Sequence, residues 1–508
     1  MASRTYRIEK NGSLGRYMVA DRDIKQGELI LKEAPVLVGP QPGGALQCFA
    51  CCRRLQNVRT CPGCDVALLC RPDCKGEFHP ESECSYLASS GITGKDLADN
   101  CQVVFPLRCL LLKRYDPRQF DAVSNLEPHL EKRRNTPIWR RNKVAIEDVL
   151  KKLRILNQDE LESELVQTVC GILDVNTFEI RPAQNDMVAY PERDCLRGLY
   201  VETAMMAHSC VPNVCMSADD SYRLSCHARV DIKRGDTIAA TYANLLKGTA
   251  ERQKHLSDGK YFECSCARCD DPTELGTELS SLRCHKCRKG LIRPHRSRGW
   301  GCDVCRASFL DGLITLAIRE GERRIEDLDP ANINAMEQLY KKLSLTFHPN
   351  HYLMLGLRQN MAVTYSRLPP TRHNLNRKLD LCARLLAVFS KLEPGISRIK
   401  ALTMYELQSA MVDLSNKQYR GGEISRERFV AELKAADNIL KEAVRYLLYE
   451  PPQSPEGRMA LSAMTELKML RESISSVLVE RQEDSKKGEV ARRLKEKLEQ
   501  GDGAKEKK

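Results

Sequence analysis

The grouping of its cysteines constrains the fold of this chain more than any other feature. The sequence has 23 cysteines in 508 residues, and most of them fall in clusters with two to four positions between neighbours. Thiolates at that spacing can share a zinc ion, which takes four tetrahedral ligands. In a reducing compartment such clusters bind metal more often than they form disulfides. We therefore expect these segments to fold around zinc.

The first cluster, residues 48–84, contains eight ligands and so can hold two ions. An interleaved pairing of its motifs predicts the two sites. One site takes Cys48, Cys51, Cys70 and Cys74, and the other takes Cys61, Cys64, His79 and Cys84. This pairing leaves Cys52 as a spare thiol.

The third group of ligands, in "CSCARC", consists of Cys264, Cys266 and Cys269. Three thiolates leave one coordination position, which either water or a distant residue fills. The best distant candidate is Cys210, within "MAHSCVPNV" at 205–213.

A fourth cluster has the paired spacing of a zinc ribbon, with the ligands Cys284, Cys287, Cys302 and Cys305. Fifteen cysteines and one histidine then make four structural zinc sites without an open position. The remaining cysteines lack partner spacing, and we interpret them as small buried hydrophobic residues.

Composition limits the function further. No run approaches eighteen apolar residues, so we expect no membrane span, and the polar N-terminus lacks the apolar stretch of a secretory signal. The net charge of +12 is spread among interspersed acidic and basic residues without a basic stripe. We therefore expect an intracellular protein that does not bind nucleic acid directly.

Hydrophobic patterning predicts an α+β protein. Residues 14–38 alternate as a β-hairpin or meander around "RDIKQGE", and strands return at 196–242 with the similar turn "DIKRGD". Residues 100–175 are helical in pattern. From 307 to about 480 the spacing indicates stacked, TPR-like helical hairpins, and the charged tail from 482 predicts disorder or a frayed helix.

Three motifs in order resemble the SET domain of protein lysine methyltransferases: "HSCVPN" at 208–213, "GDTIAATY" at 235–242 and "YFECSCARC" at 261–269. The eight-ligand cluster resembles a MYND finger. A SET domain split by MYND is the SMYD architecture, and "GRYMVA", "CARCDDPTELGT" and "HPNHYLMLGL" are similar to its arthropod SmydA branch.

The resemblance implies an ordered set of domains. The N-terminal part of SET covers 1–47, the MYND finger 48–84, a helical insert 85–175 and the SET core 176–256. A Cys-rich post-SET and zinc-ribbon-like segment follows at 257–306, then the helical C-terminal domain at 307–481 and the tail at 482–508.

The resemblance also implies a chemistry, in which S-adenosyl-L-methionine is the cofactor and a lysine side chain accepts its methyl group. Tyr242 matches the catalytic tyrosine that orients the amine. Phe178 and Tyr261 match the substrate channel. The positions that match the cofactor site are Gly15, Arg16, Tyr17, Ala207, His208, Tyr242 and Phe262.

Three positions depart from the family pattern. Ala207 replaces an asparagine, which costs about 1–3 kcal/mol if a cofactor polar group stays unpaired. Tyr17 replaces a glycine, and its side chain crowds the ligand. Lys260 stands where many SMYD enzymes have a second channel tyrosine. Its charge repels a cation about 4 Å away by about 4 kcal/mol, unless Lys260 points to solvent and Tyr261 takes the role.

These departures leave alternatives open. We expect an active methyltransferase of histone or non-histone proteins, monomeric, in nucleus and cytoplasm, with Pro-rich peptide partners for the MYND finger. The alternative is a catalytically impaired SET/MYND adaptor in transcriptional regulation. A DNA-binding zinc protein is a third, weaker interpretation.

Overall fold

The computed structural model describes residues 4–181, 195–295 and 299–502. Within them the chain has the predicted mixed α+β architecture, with a β-rich N-terminal region, cysteine clusters and a helical C-terminal region. The strands of the N-terminal region are β1 Tyr6–Asn11, β2 Gly15–Ala20, β3 Leu29–Glu33, β4 Leu37–Pro40, β5 Arg59–Thr60, β6 Leu68–Leu69, β7 Thr177–Ile180, β8 Leu196–Leu199, β9 Ala207–His208, β10 Val214–Ala218, β11 Leu224–Ala228 and β12 Ala239–Ala240.

These strands form several small sheets. β1 pairs with β2, β5 with β6, and the orders β10-β11-β3 and β4-β8-β7 make two antiparallel sheets. β9 and β12 run parallel, with Ala207 opposite Ala239 and His208 opposite Ala240. This short parallel pair brings the two central sequence motifs into contact.

Residues 14–38 form the expected strands, but the expectation of a local hairpin or meander is wrong. β3 pairs with β11 and β4 pairs with β8, each far along the chain. The reason lies in the turn that precedes β3. Ile24 and Ile232 exchange backbone hydrogen bonds of 2.8 and 2.9 Å, so the turn pairs with its counterpart in "DIKRGD".

The two similar turns are related by approximate twofold symmetry. Lys25 contacts Asp231 at 3.2 Å, and Lys233 contacts Asp23 at 3.0 Å. Gly27 and Gly235 have φ angles of 86° and 90°, a left-handed conformation that glycine adopts without a steric cost.

A helical insert and the finger share one hydrophobic core, which includes Phe49, Leu68, Phe105 and Leu111. The α-helices of this part of the chain are α1 Glu81–Ala88, α2 Gly94–Asp99, α3 Val104–Tyr115, α4 Pro117–Ser124, α5 Leu130–Arg133, α6 Pro137–Asn142, α7 Asp148–Lys152, α8 Gln158–Glu162 and α9 Leu165–Asn176. α9 continues directly into β7, so the end of this helix borders the strands that follow it.

The post-SET region contains α10 Thr249–Lys260, α11 Ala267–Asp270 and a four-stranded antiparallel sheet. Its strands are β13 Leu282–Arg283, β14 Leu291–His295, β15 Gly299–Cys302 and β16 Ser308–Phe309. This sheet carries the zinc-ribbon cysteines and packs on the first C-terminal helices.

Long antiparallel helices make up the C-terminal region. They are α12 Asp311–Glu326, α13 Ile333–Leu343, α14 Tyr352–Arg367, α15 Arg372–Leu392, α16 Arg398–Arg420, α17 Arg426–Leu447 and α18 Pro455–Asp502. Thr371, Ser397 and Ser425 cap α15, α16 and α17 by accepting a backbone N–H of the first turn.

The charged tail was expected to be disordered or a frayed helix, and the backbone of α18 is helical up to Asp502. Its many Glu, Lys, Arg and Leu residues favour continuation of a helix that is already nucleated. Over the ranges given above, no helix combines the length and apolar character that crossing a membrane requires.

Candidate active site and zinc centres

The structure brings all sixteen predicted ligands together in the four predicted groups. Sulfur pairs in the first cluster lie 3.8 Å apart, as does Cys64 Sγ from His79 Nε2. In the ribbon they lie 3.7 Å apart. Four thiolates around zinc, with bonds of about 2.3 Å, are about 3.8 Å from one another. The donor sets therefore fit zinc in chemistry and spacing.

The backbone around four of the Cys-x2-Cys pairs gives independent support. In each, the residue after the second cysteine donates its N–H to the carbonyl of the first, over 2.8–3.2 Å. That residue is Cys52, Asp65, Arg288 or Arg306, each with φ between 55° and 60°. Left-handed backbone is costly for such residues, and a metal site that fixes both cysteines explains why it persists.

The histidine of the second site is held by a buried charge pair. His79 Nδ1 lies 2.7 Å from the Glu83 carboxylate, so Nε2 is the nitrogen that faces the thiolates. Glu83 is fully buried and also accepts from Arg108 at 2.8 Å. The Arg108 charge lowers the pKa of Glu83 against the opposing effect of burial. Such carboxylate–histidine pairs orient zinc ligands.

Cys210, the best distant candidate from the sequence, lies with the three cysteines of the third group. Its sulfur is buried and lies 4.0 Å from Cys264 and 3.5 Å from Cys269. The buried Arg252 donates to the sulfurs of Cys210 and Cys269 at 3.2 and 3.4 Å. Four thiolates around one Zn²⁺ carry a net negative charge, which this guanidinium balances.

Glu274 in turn holds the basic residues of this site. Its carboxylate accepts from Arg252 at 2.6 Å and from Arg268 at 3.0 Å. All three side chains are buried, and each has its charge paired. Sequence reasoning missed this cluster, because charged residues are normally exposed and no local motif marks it.

His208 links the third cysteine group to Tyr242. Its Nε2 lies 3.3 Å from Cys210 Sγ, and its Nδ1 accepts the backbone N–H of Tyr242 at 3.0 Å. Burial lowers the pKa of His208 to about 4, so the imidazole is neutral at pH 7. The ring also lies 5.3 Å from the ring of Tyr242 and 5.8 Å from that of Phe262.

A cavity of about 1480 Å³ opens above this cluster. The predicted residues that line it are Gly15, Arg16, Phe178, Ala207, His208, Tyr242, Tyr261 and Phe262. Tyr17 is not part of the lining. It faces Glu9 across the β1–β2 pair and its hydroxyl donates to that carboxylate at 3.2 Å. The phenol of Tyr17, which was expected to crowd the ligand, therefore points toward β1 instead of into the cavity.

The Tyr242 hydroxyl donates to the Met206 carbonyl. Burial raises the pKa of this phenol, so it stays protonated at neutral pH. The proton of this hydroxyl is engaged by Met206, so toward the cleft the oxygen can act as an acceptor. Its lone pairs can accept a hydrogen bond from an amine.

Lys260 does not point to solvent. Its ammonium donates to the Val175 carbonyl at 2.5 Å and lies 5.6 Å from the centre of the Tyr242 ring. Burial lowers the pKa of this amine to about 8. Tyr261 lines the cavity, but its hydroxyl accepts from Arg133 at 3.2 Å. The cation thus occupies the cavity wall beside Tyr242.

The C-terminal helices complete the wall. Arg398 of α16 and Glu456 of α18 line the cavity, together with Glu450 and Pro451 from the connection before α18. Glu456 binds Arg181 at 2.6 Å, which ties the last helix to the segment after β7. The cavity is therefore a cleft between the β-rich N-terminal region and the helical C-terminal region.

Residues 15–243 match the SET domain family, and this stretch contains the parallel pair, His208 and Tyr242 described above. The chain is therefore similar to SET domain proteins over this stretch. Several of its relatives are of the SMYD type. The SET domain-containing protein SmydA-8, isoform A, of Drosophila melanogaster is 26% identical over 432 residues, which cover 79% of this chain and 87% of the relative.

Two further relatives are named as enzymes. The human N-lysine methyltransferase SMYD2 is 25% identical over 283 residues, 53% of this chain and 61% of SMYD2. The histone-lysine N-methyltransferase ASHR1 of Arabidopsis thaliana is 23% identical over 315 residues, 57% of this chain and 62% of ASHR1. A crystal structure of the SET domain of LSMT bound to lysine and AdoHcy aligns over 94% of this chain and 89% of that chain, with 12% identity and a TM-score of 0.27.

Proposed function

We propose that this protein is an S-adenosylmethionine-dependent protein-lysine N-methyltransferase acting on histone or non-histone proteins. The observation that carries the proposal is the placement of Tyr242. Its phenol lies in the cleft beside His208, which contacts the Cys210 zinc site. The N-lysine methyltransferases among the relatives support the same reaction class.

The cleft fits the cofactor in size and chemistry. Its volume of about 1480 Å³ exceeds the 300–1,000 Å³ common for small-molecule sites, which leaves room for a cofactor and a lysine side chain. Phe262 offers an aromatic face for a purine. Gly15 has φ +68° and open space around its Cα, so a ligand can approach the backbone there.

When bound, S-adenosylmethionine supplies a methyl group on a positively charged sulfur. Gly15, Arg16 and His208 would hold it, and the neutral imidazole of His208 adds no like charge beside the sulfonium. Tyr242 would accept a hydrogen bond from the substrate amine and so direct its lone pair. Holding two reactants in line replaces a bimolecular encounter by an intramolecular one.

The MYND finger is proposed to bind partner proteins, by docking of extended or Pro-rich peptides. Its two groups of predicted zinc ligands and the hydrophobic core that it shares with the helical insert would hold it in place for docking.

The test is methyl transfer from labelled cofactor to histones and to a whole-cell lysate. We expect incorporation by the wild type, loss of it in Tyr242→Phe, and retention in Tyr419→Phe, a tyrosine of α16 stacked on Phe429. Equal incorporation by Tyr242→Phe and wild type would contradict the assigned role.

The adaptor is the second candidate function, favoured by the inward position of Lys260 and by Ala207. Calorimetry with S-adenosylmethionine separates the two. Micromolar binding supports the enzyme, and an absence of binding supports the adaptor.

A further inference from the structure

A lysine of the protein itself already lies in the cleft where the proposed reaction needs one. Lys260 is the last residue of α10, and Tyr261 ends the helix with a left-handed φ of 62°. This arrangement directs the Lys260 side chain toward the end of α9. Its amine contacts the Val175 carbonyl at 2.5 Å and lies 5.6 Å from the Tyr242 ring centre.

Burial of the amine favours loss of its proton. The carboxylate of Asp174 raises the pKa of this amine. That carboxylate is itself paired with Arg133 at 2.7 Å and with Arg197 at 3.2 Å. Burial without a dedicated carboxylate lowers the pKa of the Lys260 amine to about 8. An amine must be neutral to attack a methyl group, and the lowered pKa brings the neutral form of Lys260 closer to physiological pH.

We infer that Lys260 is a self-methylation site, whose amine accepts a methyl group from S-adenosylmethionine bound in the same chain. This inference rests on the proposed function, because it uses the same cofactor and the same Tyr242.

The reaction balances without another reactant. The Lys260 ammonium releases one proton to solvent, and its nitrogen lone pair then forms a bond to the methyl carbon. The bond from carbon to sulfur breaks, its electrons stay on sulfur, and the products are N-methyl-Lys260 and S-adenosylhomocysteine.

A purely structural role would look different. The Val175 carbonyl lies at the C-terminal end of α9, where a cation interacts favourably with the helix dipole. A lysine that only caps this helix would be unmodified after incubation with cofactor, and an arginine would replace it without any change in labelling.

The experiment uses the full-length, zinc-loaded protein and S-adenosylmethionine with a deuterated methyl group, followed by proteolysis and peptide mass spectrometry. Lys254 is the matched control, since it lies on the same helix, is exposed and pairs with Asp258. We expect the label on Lys260 and none on Lys254. The labelled fraction at a given time should be the same over a wide range of protein concentration, as an intramolecular reaction requires.

Variants sharpen the result. Lys260→Arg keeps the charge and a donor for Val175 but removes the acceptor, so label should fall to background at unchanged zinc content. Lys254→Arg should label like the wild type. Label on other lysines without Lys260, or labelling that rises with protein concentration, would overturn the inference.

The same preparation separates failure of this inference from failure of the proposed function. If histones or lysate proteins are methylated while Lys260 stays unmodified, self-methylation is wrong and the enzyme assignment stands. If calorimetry detects no cofactor binding and nothing is labelled, both are wrong.

Discussion

The sulfur of Cys210 lies 3.5 Å from the sulfur of Cys269, although 59 positions separate the two residues. This contact joins the central SET motif to the post-SET segment. His208 lies two residues before Cys210 and lines the cleft. Its Nδ1 accepts the backbone N–H of Tyr242. The floor of the proposed active site therefore rests on this group of four predicted zinc ligands.

Replacing Cys210 by serine should remove one of the four zinc ions and loosen this floor. A serine hydroxyl stays protonated at neutral pH and is a poor substitute for a thiolate. Metal analysis should find about three zinc ions per chain, and calorimetry should find weaker cofactor binding. Cys215→Ser is the control, because Cys215 belongs to none of the metal groups and should leave four ions. Four ions in Cys210→Ser would contradict the ligand assignment.

The buried pair of His79 and Glu83 predicts a selective loss in the finger. Glu83→Gln leaves Arg108 without its counter-charge, and breaking a buried pair costs about 3–5 kcal/mol. Loss of the carboxylate behind a zinc-binding histidine typically weakens metal affinity about 10–100-fold. Competition with a chromogenic chelator measures how readily the ion leaves.

The control for this change is Glu81→Gln, since Glu81 lies on the same helix and is exposed. It should release zinc at the rate of the wild type. Identical release by both variants would mean that Glu83 does not support the histidine.

The zinc ligands could be predicted from the sequence because their spacing is local. Cys210 could be named only as the best distant candidate for a fourth position that water could also fill. The partners of β3 and β4 could not be predicted. Alternation shows that a segment is a strand, but the strand it pairs with lies far along the chain.

The direction of the Lys260 side chain also could not be predicted from the sequence. It depends on where α10 ends and on the left-handed Tyr261, and a lysine near a helix end is normally solvated. No single sequence motif predicts the buried charge cluster, because its residues come from separate segments. They are Arg252, Arg268 and Glu274.

Removing the Lys260 charge should strengthen cofactor binding. A buried cation repels the sulfonium in a medium where charges are poorly screened. We expect Lys260→Met to bind S-adenosylmethionine about tenfold more tightly than the wild type, equivalent to about 1.4 kcal/mol. S-adenosylhomocysteine, which has no charge on sulfur, should gain less. Calorimetry measures both ligands, with Lys254→Met as the exposed control, and equal gains for both ligands would argue against a charge effect.

The lowered pKa of Lys260 also predicts how stability depends on pH. Burial lowers that pKa to about 8, while Asp174 raises it and Arg197 lowers it. The unfolded chain, whose lysines titrate near 10.4, then binds more protons than the folded chain between about pH 8 and 10. The charged amine therefore lowers the free energy of unfolding below about pH 8, by about 3 kcal/mol at most, and this loss disappears as the pH rises.

Lys260→Met should unfold at a higher temperature than the wild type at pH 7, and the two unfolding temperatures should converge toward pH 10. Lys254→Met should follow the wild type throughout, and a constant gap between Lys260→Met and the wild type would show that Lys260 keeps its proton in the fold.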